Sequence, residues 1–207
     1  KGGGTDMEKL GEVQKSMEAA ITKMLTEDEA FDYQMRFSIT ANTLRQSIAG
    51  FEPSKDEFVK LYDLRKEFDA EHSIFSRGSE TPEESKLRKA DEKLLKEAIQ
   101  VSLGDERYAD YEMSQDYKYK QAHTAAKRSG LGVEEAKAAW EMRKEAEKQA
   151  SELRKNKELE KAARNAALAA IRAETEASIR DIYGMEGWTN YRRGNGHSWL
   201  DRISKNK

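Results

Sequence analysis

Apolar residues recur every three or four positions along most of the chain, which is the spacing of one helix face. Two such runs stand near the start, over residues 10–24 and 31–48. We expect one helix from the first run. We expect a second helix that begins at a capping box formed by Thr26 and Glu29 and ends near Gly50. Sustained alternation of the strand type is nearly absent, so the pattern predicts an all-α protein.

Two later helices are predicted from their start signals. Ser54 and Glu57 form another capping box. The segment Thr81-Pro82-Glu83-Glu84 is a strong helix start, because proline is favoured in the first turn. The apolar seam of the helix that follows is expected to comprise Leu87, Leu94, Ala98 and Val101.

The second half of the chain shows the same periodicity. After Tyr111 we expect helix up to about Ser129, and a new helix from Val133. The last long helix is expected from about Glu158 to Tyr183. Only two prolines occur in the whole sequence, so few positions would interrupt the predicted helices.

The segments LGDERYADY at 103–111 and YGMEGWTNY at 183–191 carry the same pattern. In each, a glycine is followed four residues later by a large aromatic residue and seven residues later by tyrosine. Upstream, residues 58–72 align with residues 136–150, and Tyr62 falls on Trp140. Two blocks in the same order indicate an internal duplication, whose repeated motif is Gly104, Tyr108, Tyr111, Gly184, Trp188 and Tyr191.

Each copy is interpreted as a helical hairpin. The glycine would supply a left-handed helix cap, and the aromatic residue after it would pack back across the helix end. An aromatic ligand-binding site is the alternative for this motif. The predicted architecture is an elongated helical bundle of two tandem hairpin repeats, over 31–111 and 112–191. An N-terminal tail and helix (1–30) and a basic C-terminal tail (192–207) complete it.

The composition favours helices with narrow apolar seams. Charged residues make up 37% of the 207 residues, and 37 basic residues nearly balance 39 acidic ones. Charges of opposite sign alternate at helical spacing, which is typical of solvated helix faces. With a pI near 6.1 and no basic cluster over most of the chain, we do not expect nucleic-acid binding. We also expect neither a membrane-spanning helix nor a signal peptide.

Candidate catalytic chemistry is sparse. The chain has no cysteine and three scattered histidines, of which His72 follows Asp69 at helical spacing. No phosphate-binding glycine motif occurs, and paired carboxylates are as frequent as this composition dictates. We therefore predict no enzyme activity, no cofactor, no metal site and no small-molecule substrate. Metal binding through carboxylates and His72 is kept as an alternative.

The C-terminal segment YRRGNGHSWLDRISKNK is the one basic stretch. One interpretation is a glycine-hinged tail that packs back on the bundle through Trp199. The other is a docking segment for an acidic or apolar partner surface. In that case the partner-binding residues would be Arg192, Arg193, His197, Trp199, Leu200 and Arg202.

The chain also resembles the Spy/CpxP-type periplasmic helical proteins, the LTxxQ group. The resemblance rests on two leucine-led turns, Leu131-Gly-Val-Glu-Glu135 and Leu103-Gly-Asp-Glu-Arg107, and covers about residues 50–190. Glu or Arg stands where the family has Gln, and no Thr follows either Leu. The resemblance implies an exported, cofactor-free protein that binds other proteins or senses envelope stress. It transfers no catalytic residue.

Three functions follow as hypotheses. The first is a non-enzymatic protein-interaction or structural subunit, part of a larger assembly of homo- or hetero-oligomeric chains. The second is a periplasmic chaperone or envelope-stress sensor, which requires an apolar surface near Met35, Phe37, Tyr62 and Trp140. The third is the metal-binding protein already mentioned.

Overall fold

The computed structural model describes residues 3–73, 78–193 and 197–204, with side chains from Lys9 onwards except that of Arg193. Within these ranges every regular element is a helix, so the all-α prediction is confirmed. The helices are α1 (Gly3–Thr22), α2 (Glu27–Phe37), α3 (Ile39–Ser47), α4 (Lys55–Glu71), α5 (Pro82–Leu103), α6 (Asp105–Gln115), α7 (Tyr117–Arg128), α8 (Val133–Lys155), α9 (Lys161–Arg193) and α10 (Ser198–Ile203).

The chain divides into two compact units. Unit 1 is Lys1–Glu112 and unit 2 is Met113–Lys207. The division falls within α6, close to the boundary expected between the two hairpin repeats at 111 and 112. The segment expected as a basic tail belongs to unit 2, and α1 belongs to unit 1.

Unit 1 is built around the hairpin of α4 and α5. Helix α3 packs on α4, and α2 links α3 to α1. The capping boxes expected at Thr26 and Ser54 are both present, because each needs only one hydroxyl and a glutamate three residues later. The helix start expected at Thr81 is also present, and it too is a capping box, formed with Glu84. The buried core consists of Ala41, Leu44, Ile48, Phe51, Leu61, Tyr62, Ile99 and Tyr108.

The helix expected between Thr26 and Gly50 is in fact two helices. Ser38 has extended backbone angles (φ −62°, ψ 150°) and ends α2 while its hydroxyl accepts a hydrogen bond from the Ala41 amide at the start of α3. Serine competes well for backbone N–H groups, so it can interrupt a helix within an apolar-periodic run. The prediction of one continuous helix was wrong at this residue.

Unit 2 is built around the hairpin of α8 and α9, on which α7 and α10 pack. Asp116 separates α6 from α7 by capping the Lys118 and Tyr119 amides, so the helix expected to run on from Tyr111 is also interrupted. The core includes aromatic side chains from three helices, namely Tyr119, Tyr183, Trp188, Tyr191 and Trp199.

Helix α8 buries a seam of small side chains. Ala136, Ala139, Ala146 and Ala150 all lie in the core of unit 2. Small residues at a helix contact allow the backbones to approach closely. Arg143 lies in the same face and is also buried, with its guanidinium held by Glu147 and Gln121.

Candidate interaction surfaces

The motif at Gly104 joins two helices of unit 1. Gly104 has a positive φ of 75° with ψ 163°, ends α5, and accepts a hydrogen bond from the Tyr108 amide of α6 at 2.9 Å. The positive φ was predicted, but the ψ lies outside the left-handed helical region, because this glycine also begins the next helix. The Tyr108 ring is buried and stacks on Tyr111 with ring centres 6.0 Å apart.

The motif at Gly184 has the same local geometry in unit 2. Gly184 has φ 66° and ψ 176° and introduces a kink in α9. Trp188 is buried and stacks on Tyr191 with ring centres 5.7 Å apart. Tyr108, Trp188 and Tyr191 are buried in the cores of their own units, and Tyr111 is partly buried against the core of unit 1, which favours the packing interpretation over a ligand-binding site.

Residues around each motif are held by charged groups. In unit 1, the Arg107 guanidinium bonds the Glu57 carboxylate at 2.8 and 3.1 Å and lies over the Phe51 ring at 4.3 Å. These hydrogen bonds lower the pKa of Glu57 from 4.5 to about 2, although partial burial acts in the opposite direction. Glu57 also caps α4, so one carboxylate fastens the α4 start to the motif.

In unit 2, burial raises the pKa of Tyr183, whose hydroxyl donates to the Ala122 carbonyl at 3.2 Å. Burial also acts to raise the pKa of Glu147, but Lys118 and Arg143 outweigh it, so that this pKa is lowered. These shifted groups therefore have structural partners: a buried backbone carbonyl for the phenol and two cations for the carboxylate.

The C-terminal segment packs back on unit 2 through Trp199, as the first of the two interpretations expected. Trp199, Leu200 and Ile203 are each 2% exposed. The Trp199 indole N–H donates to the Tyr191 hydroxyl at 2.7 Å, and the Arg143 guanidinium lies 5.0 Å from the indole centre. A partner could reach Trp199 and Leu200 only by displacing α10, so the docking interpretation does not hold for these two residues.

The charged residues of the same segment have a different environment. The side chains of Arg192 and Arg202 are exposed, and His197 is half-buried. Arg193 ends α9, but its side chain lies outside the described residues. The backbone of α10 is held by Arg154, which donates to the Arg202 and Ile203 carbonyls at 2.8 Å. Partner binding by the four charged side chains stays a prediction.

A groove bordered by α1, α2 and α3 is the clearest open apolar feature of unit 1. It measures about 400 Å³, and apolar side chains of α1 line one side of it. Leu10, Val13 and Met17 are 54%, 56% and 59% exposed. The other side includes Tyr33 and Phe37. The sequence pattern correctly found this α1 seam, but the described residues of the chain leave it largely uncovered.

Helix α5 carries a second exposed apolar stripe. Leu87, Leu94 and Val101 follow each other at heptad intervals, and all three are exposed. The sequence pattern placed these three residues, with Ala98, on the apolar seam of this helix, but they do not pack against the core. The face of α5 that packs against the core instead carries Leu95, Ile99 and Leu103. Each of these residues is one or two positions along the sequence from a residue of the exposed stripe.

The residues expected to form a chaperone surface differ in exposure. Phe37 is exposed and Met35 is half-buried, but Tyr62 is 2% exposed within the core of unit 1. Trp140 packs against the core of unit 2 and contacts Tyr119 edge-on. Tyr62 is therefore no surface candidate, Phe37 is an exposed one, and Met35 and Trp140 are each half-buried against the core of their own unit.

His72 lies in a small polar cluster between α4 and α5. Its Nε2 atom is 2.8 Å from an Asp91 oxygen, and Glu71 brings a third donor atom within 4.8 Å of the others. Asp69, the expected neighbour, instead accepts hydrogen bonds from Arg65 and Thr40. A histidine with two carboxylates is a ligand set that zinc accepts. The hydrogen bond between His72 and Asp91 accounts for this geometry by itself.

Sequence reasoning missed Glu71 and Asp91 because they converge only when the hairpin of α4 and α5 forms. It also did not anticipate that the groove beside α1 would stay open. No protein-family model, curated protein or solved structure matches the chain. Among the described residues, none of the helices combines the length and the apolar character that a bilayer crossing requires.

Proposed function

We propose that this protein is a non-enzymatic helical interaction or structural subunit that works within a larger assembly of polypeptide chains. The observation that carries the proposal is the groove bordered by α1, α2 and α3. Its α1 side presents Leu10, Val13 and Met17 to solvent at helical spacing. Contiguous exposed apolar surface in a highly charged protein is typical of a protein-binding site.

The chemistry of the charged groups supports a non-catalytic role. Glu57 and Glu147, whose pKa values are lowered, are engaged by arginine or lysine side chains that fasten helices together. A catalytic acid or base needs a proton that it can exchange near the working pH. Lowered carboxylate pKa values of this kind serve ion pairing better than proton transfer.

We also propose that the architecture is a tandem duplication, as the sequence motifs suggest. Ser38 caps α3 and Asp116 caps α7, and the step from 38 to 116 is the same shift that aligns residues 58–72 with residues 136–150. Under that shift, the Arg65–Asp69 ion pair of α4 (2.9 Å) has its counterpart in Arg143–Glu147 of α8 (3.0 Å). These pairs occupy the same turn of equivalent helices.

The hydrogen bonds made by the acidic residues of these two ion pairs, Asp69 and Glu147, also support the proposed duplication. Asp69 accepts from Thr40 of α3 at 2.9 Å, and Glu147 is bonded by Lys118 of α7. The same shift relates Thr40 to Lys118. A shared spacing for caps, ion pairs and cross-helix contacts is difficult to explain by composition alone, since charged residues could pair at many other offsets.

The correspondence extends to the start of the chain. Helices α2 (Glu27–Phe37) and α6 (Asp105–Gln115) have the same length. The sequence shift that takes residue 38 to residue 116 also takes the first residue of α2 to the first residue of α6. Both contain an Asp-Tyr pair followed two residues later by Met, at 32–35 and 110–113. Tyr111 and Tyr191 are already matched as the last residues of the two motifs, and Tyr33 now matches Tyr111. On these three tyrosines we extend the proposal to three copies of one unit: α1–α4, α5–α8 and an incomplete copy of α9 and α10.

The function is tested by the native mass of the protein in the cells that make it. We expect the chain purified under mild conditions to run in a complex well above its own 23.6 kDa. Cross-links to the partner should involve lysines of α1 and the turn after it, namely Lys9, Lys15 and Lys23. A protein that is monomeric in the source extract at native concentration would contradict the proposal.

A Spy/CpxP-like chaperone is the second candidate, in an exported location. The exposed Met17, Met24 and Phe37 side chains favour it, because flexible methionines suit binding of varied apolar sequences. We expect such a protein to suppress aggregation of unrelated unfolded clients at equimolar ratios. No effect on two different clients at tenfold excess would exclude this candidate and leave the subunit proposal in place.

A further inference from the structure

The open groove of unit 1 has a closed counterpart in unit 2. Under the proposed triplication, which is the premise of this inference, α1 corresponds to the first part of α9, and Leu10 is equivalent to Leu168. The α1 stripe of Leu10, Val13, Met17 and Ile21 then corresponds to Leu168, Ile171, Thr175 and Ile179, and Tyr33 of the groove corresponds to Tyr191.

These counterparts are covered in unit 2. Leu168, Ile179 and Tyr191 belong to the buried core, Thr175 is buried, and Ile171 packs against the core. The same core contains the alanine seam of α8, which packs along α9. The positions that line the open groove in unit 1 are therefore equivalent to positions that seat an amphipathic helix in unit 2.

We propose that the groove of unit 1 binds one amphipathic helix with an alanine-rich face, supplied by another polypeptide. The bound helix would lie along α1 as α8 lies along α9, with its small side chains against Leu10, Val13 and Met17. This is recognition of a helix in an apolar groove, where residues spaced by three, four and seven positions provide the contact.

The middle copy explains why the occupant resembles α8 and not α4. In α5, the positions corresponding to Leu10 and Val13 are Arg88 and Asp91. Arg88 makes an ion pair with Glu80, and Asp91 makes a hydrogen bond with His72. Helix α4 therefore faces a partly polar surface. The four residues of the α1 stripe are all apolar, as three of the four in the α9 stripe are, so the small side chains of an alanine-rich face fit it.

The shape of the groove also disfavours a small ligand. It is open along α1, and its apolar residues extend over three helical turns from Leu10 to Ile21. A drug-sized molecule needs a concave site that encloses most of its surface. A helix can instead cover a long, shallow stripe with repeated contacts.

The test uses the full chain and a peptide with the sequence of residues 133–155, acetylated, amidated and labelled with a fluorophore. We expect the peptide to bind with a dissociation constant in the micromolar range, roughly 1 to 100 μM, by fluorescence anisotropy. In the chain, Met17→Glu and, separately, Val13→Glu should each weaken binding at least tenfold. Met185→Glu, at an exposed apolar residue of unit 2, should leave it unchanged.

A matched peptide carries Ala139→Glu and Ala146→Glu, and it should not bind. Circular dichroism of each chain variant checks that the helices persist, which we expect because Val13, Met17 and Met185 are exposed. Two different variants on α1 guard against a local effect of one charge.

Three outcomes would overturn the inference. One is no binding at about 1 mM peptide. The second is binding that Met17→Glu and Val13→Glu leave unchanged, which would mean that the peptide replaces α8 in unit 2. The third is self-association of the chain that these variants abolish, which would assign the groove to a second copy. If the peptide inference fails in any of these ways, a complex of high native mass would still uphold the proposed function. Conversely, a monomeric native protein would contradict the proposed function even if the peptide binds.

Discussion

Units 1 and 2 both centre on a hairpin of two long helices with a shorter helix packed on it, yet they leave very different surfaces to solvent. Among the described residues, nine of the eleven large exposed hydrophobic side chains lie in unit 1, and only Tyr117 and Met185 lie in unit 2. In unit 2, α10 contributes three buried apolar residues. The comparison teaches that a helix's apolar stripe becomes core only when another element covers it.

The largest effect on stability is expected when the packing of α10 on unit 2 is removed. Trp199→Ala removes an indole that fills the core and donates to Tyr191. We expect the free energy of unfolding of unit 2 to fall by about 3 to 5 kcal/mol, the usual cost of truncating a buried aromatic residue. Chemical denaturation followed by tryptophan emission measures this, since Trp140 and Trp188 also lie in unit 2. A loss under about 1 kcal/mol, closer to the effect of a surface substitution, would show that α10 is not part of the core.

Two leucines that the proposed repeat makes equivalent, one in each unit, give the next test. Leu168→Ala should destabilise unit 2 by about 2 to 4 kcal/mol, because Leu168 is 0% exposed. Leu10→Ala should change the stability of unit 1 by less than about 0.5 kcal/mol, because that side chain is mostly in water. Far-ultraviolet circular dichroism during denaturation reports on both. Similar costs at the two positions would refute the contrast between open and closed units.

The two motif glycines should instead behave alike. Gly104→Ala and Gly184→Ala each place a side chain at positive φ, and neither added Cβ would meet an atom within 4 Å. The cost is therefore conformational, about 1 to 2 kcal/mol in each unit. Denaturation of both variants measures it. A cost more than about twice as large in one variant as in the other would count against the proposed equivalence of the motifs.

The smallest effect concerns one ion pair and depends on pH. Glu57→Gln should lower the stability of unit 1 by about 1 kcal/mol at pH 7, because the pair with Arg107 is partly exposed. Since the folded pKa of Glu57 is about 2, below its ordinary 4.5, this stabilisation is full above pH 4.5 and is lost as the pH falls towards 2. The variant and the parent should converge in that window. A difference that persists at pH 2 would point to packing and not to charge.

The sequence allowed the local features to be predicted. The capping boxes predicted at Thr26 and Ser54 and the helix start predicted at Thr81 were correct, because a few neighbouring residues determine them. The breaks at Ser38 and Asp116 were missed, since both lie within apolar-periodic runs where a polar residue can face solvent without ending a helix. Such a residue becomes a cap only if the chain must turn there to pack.

The surfaces could be predicted less well than the helices. Periodicity correctly placed Leu87, Leu94 and Val101 on one stripe, but it carries no information on whether a neighbouring helix covers that stripe. The polar cluster of Glu71, His72 and Asp91 joins residues about twenty positions apart, and only the register of α4 against α5 brings them together. Tertiary packing determines both which stripe is covered and which polar residues meet. No short motif in a single sequence specifies that packing.

The alanine seam of α8 has a consequence for engineering. Where α4 has Phe58, Leu61 and Phe68, α8 has Ala136, Ala139 and Ala146 at the positions that the proposed repeat aligns with them. A chimera that exchanged these two helices would leave voids in one hairpin and steric overlap in the other, because side-chain volume differs by several methylene groups per site. Modules of this protein should therefore be transplanted as whole hairpins with their packed short helices, never as single helices.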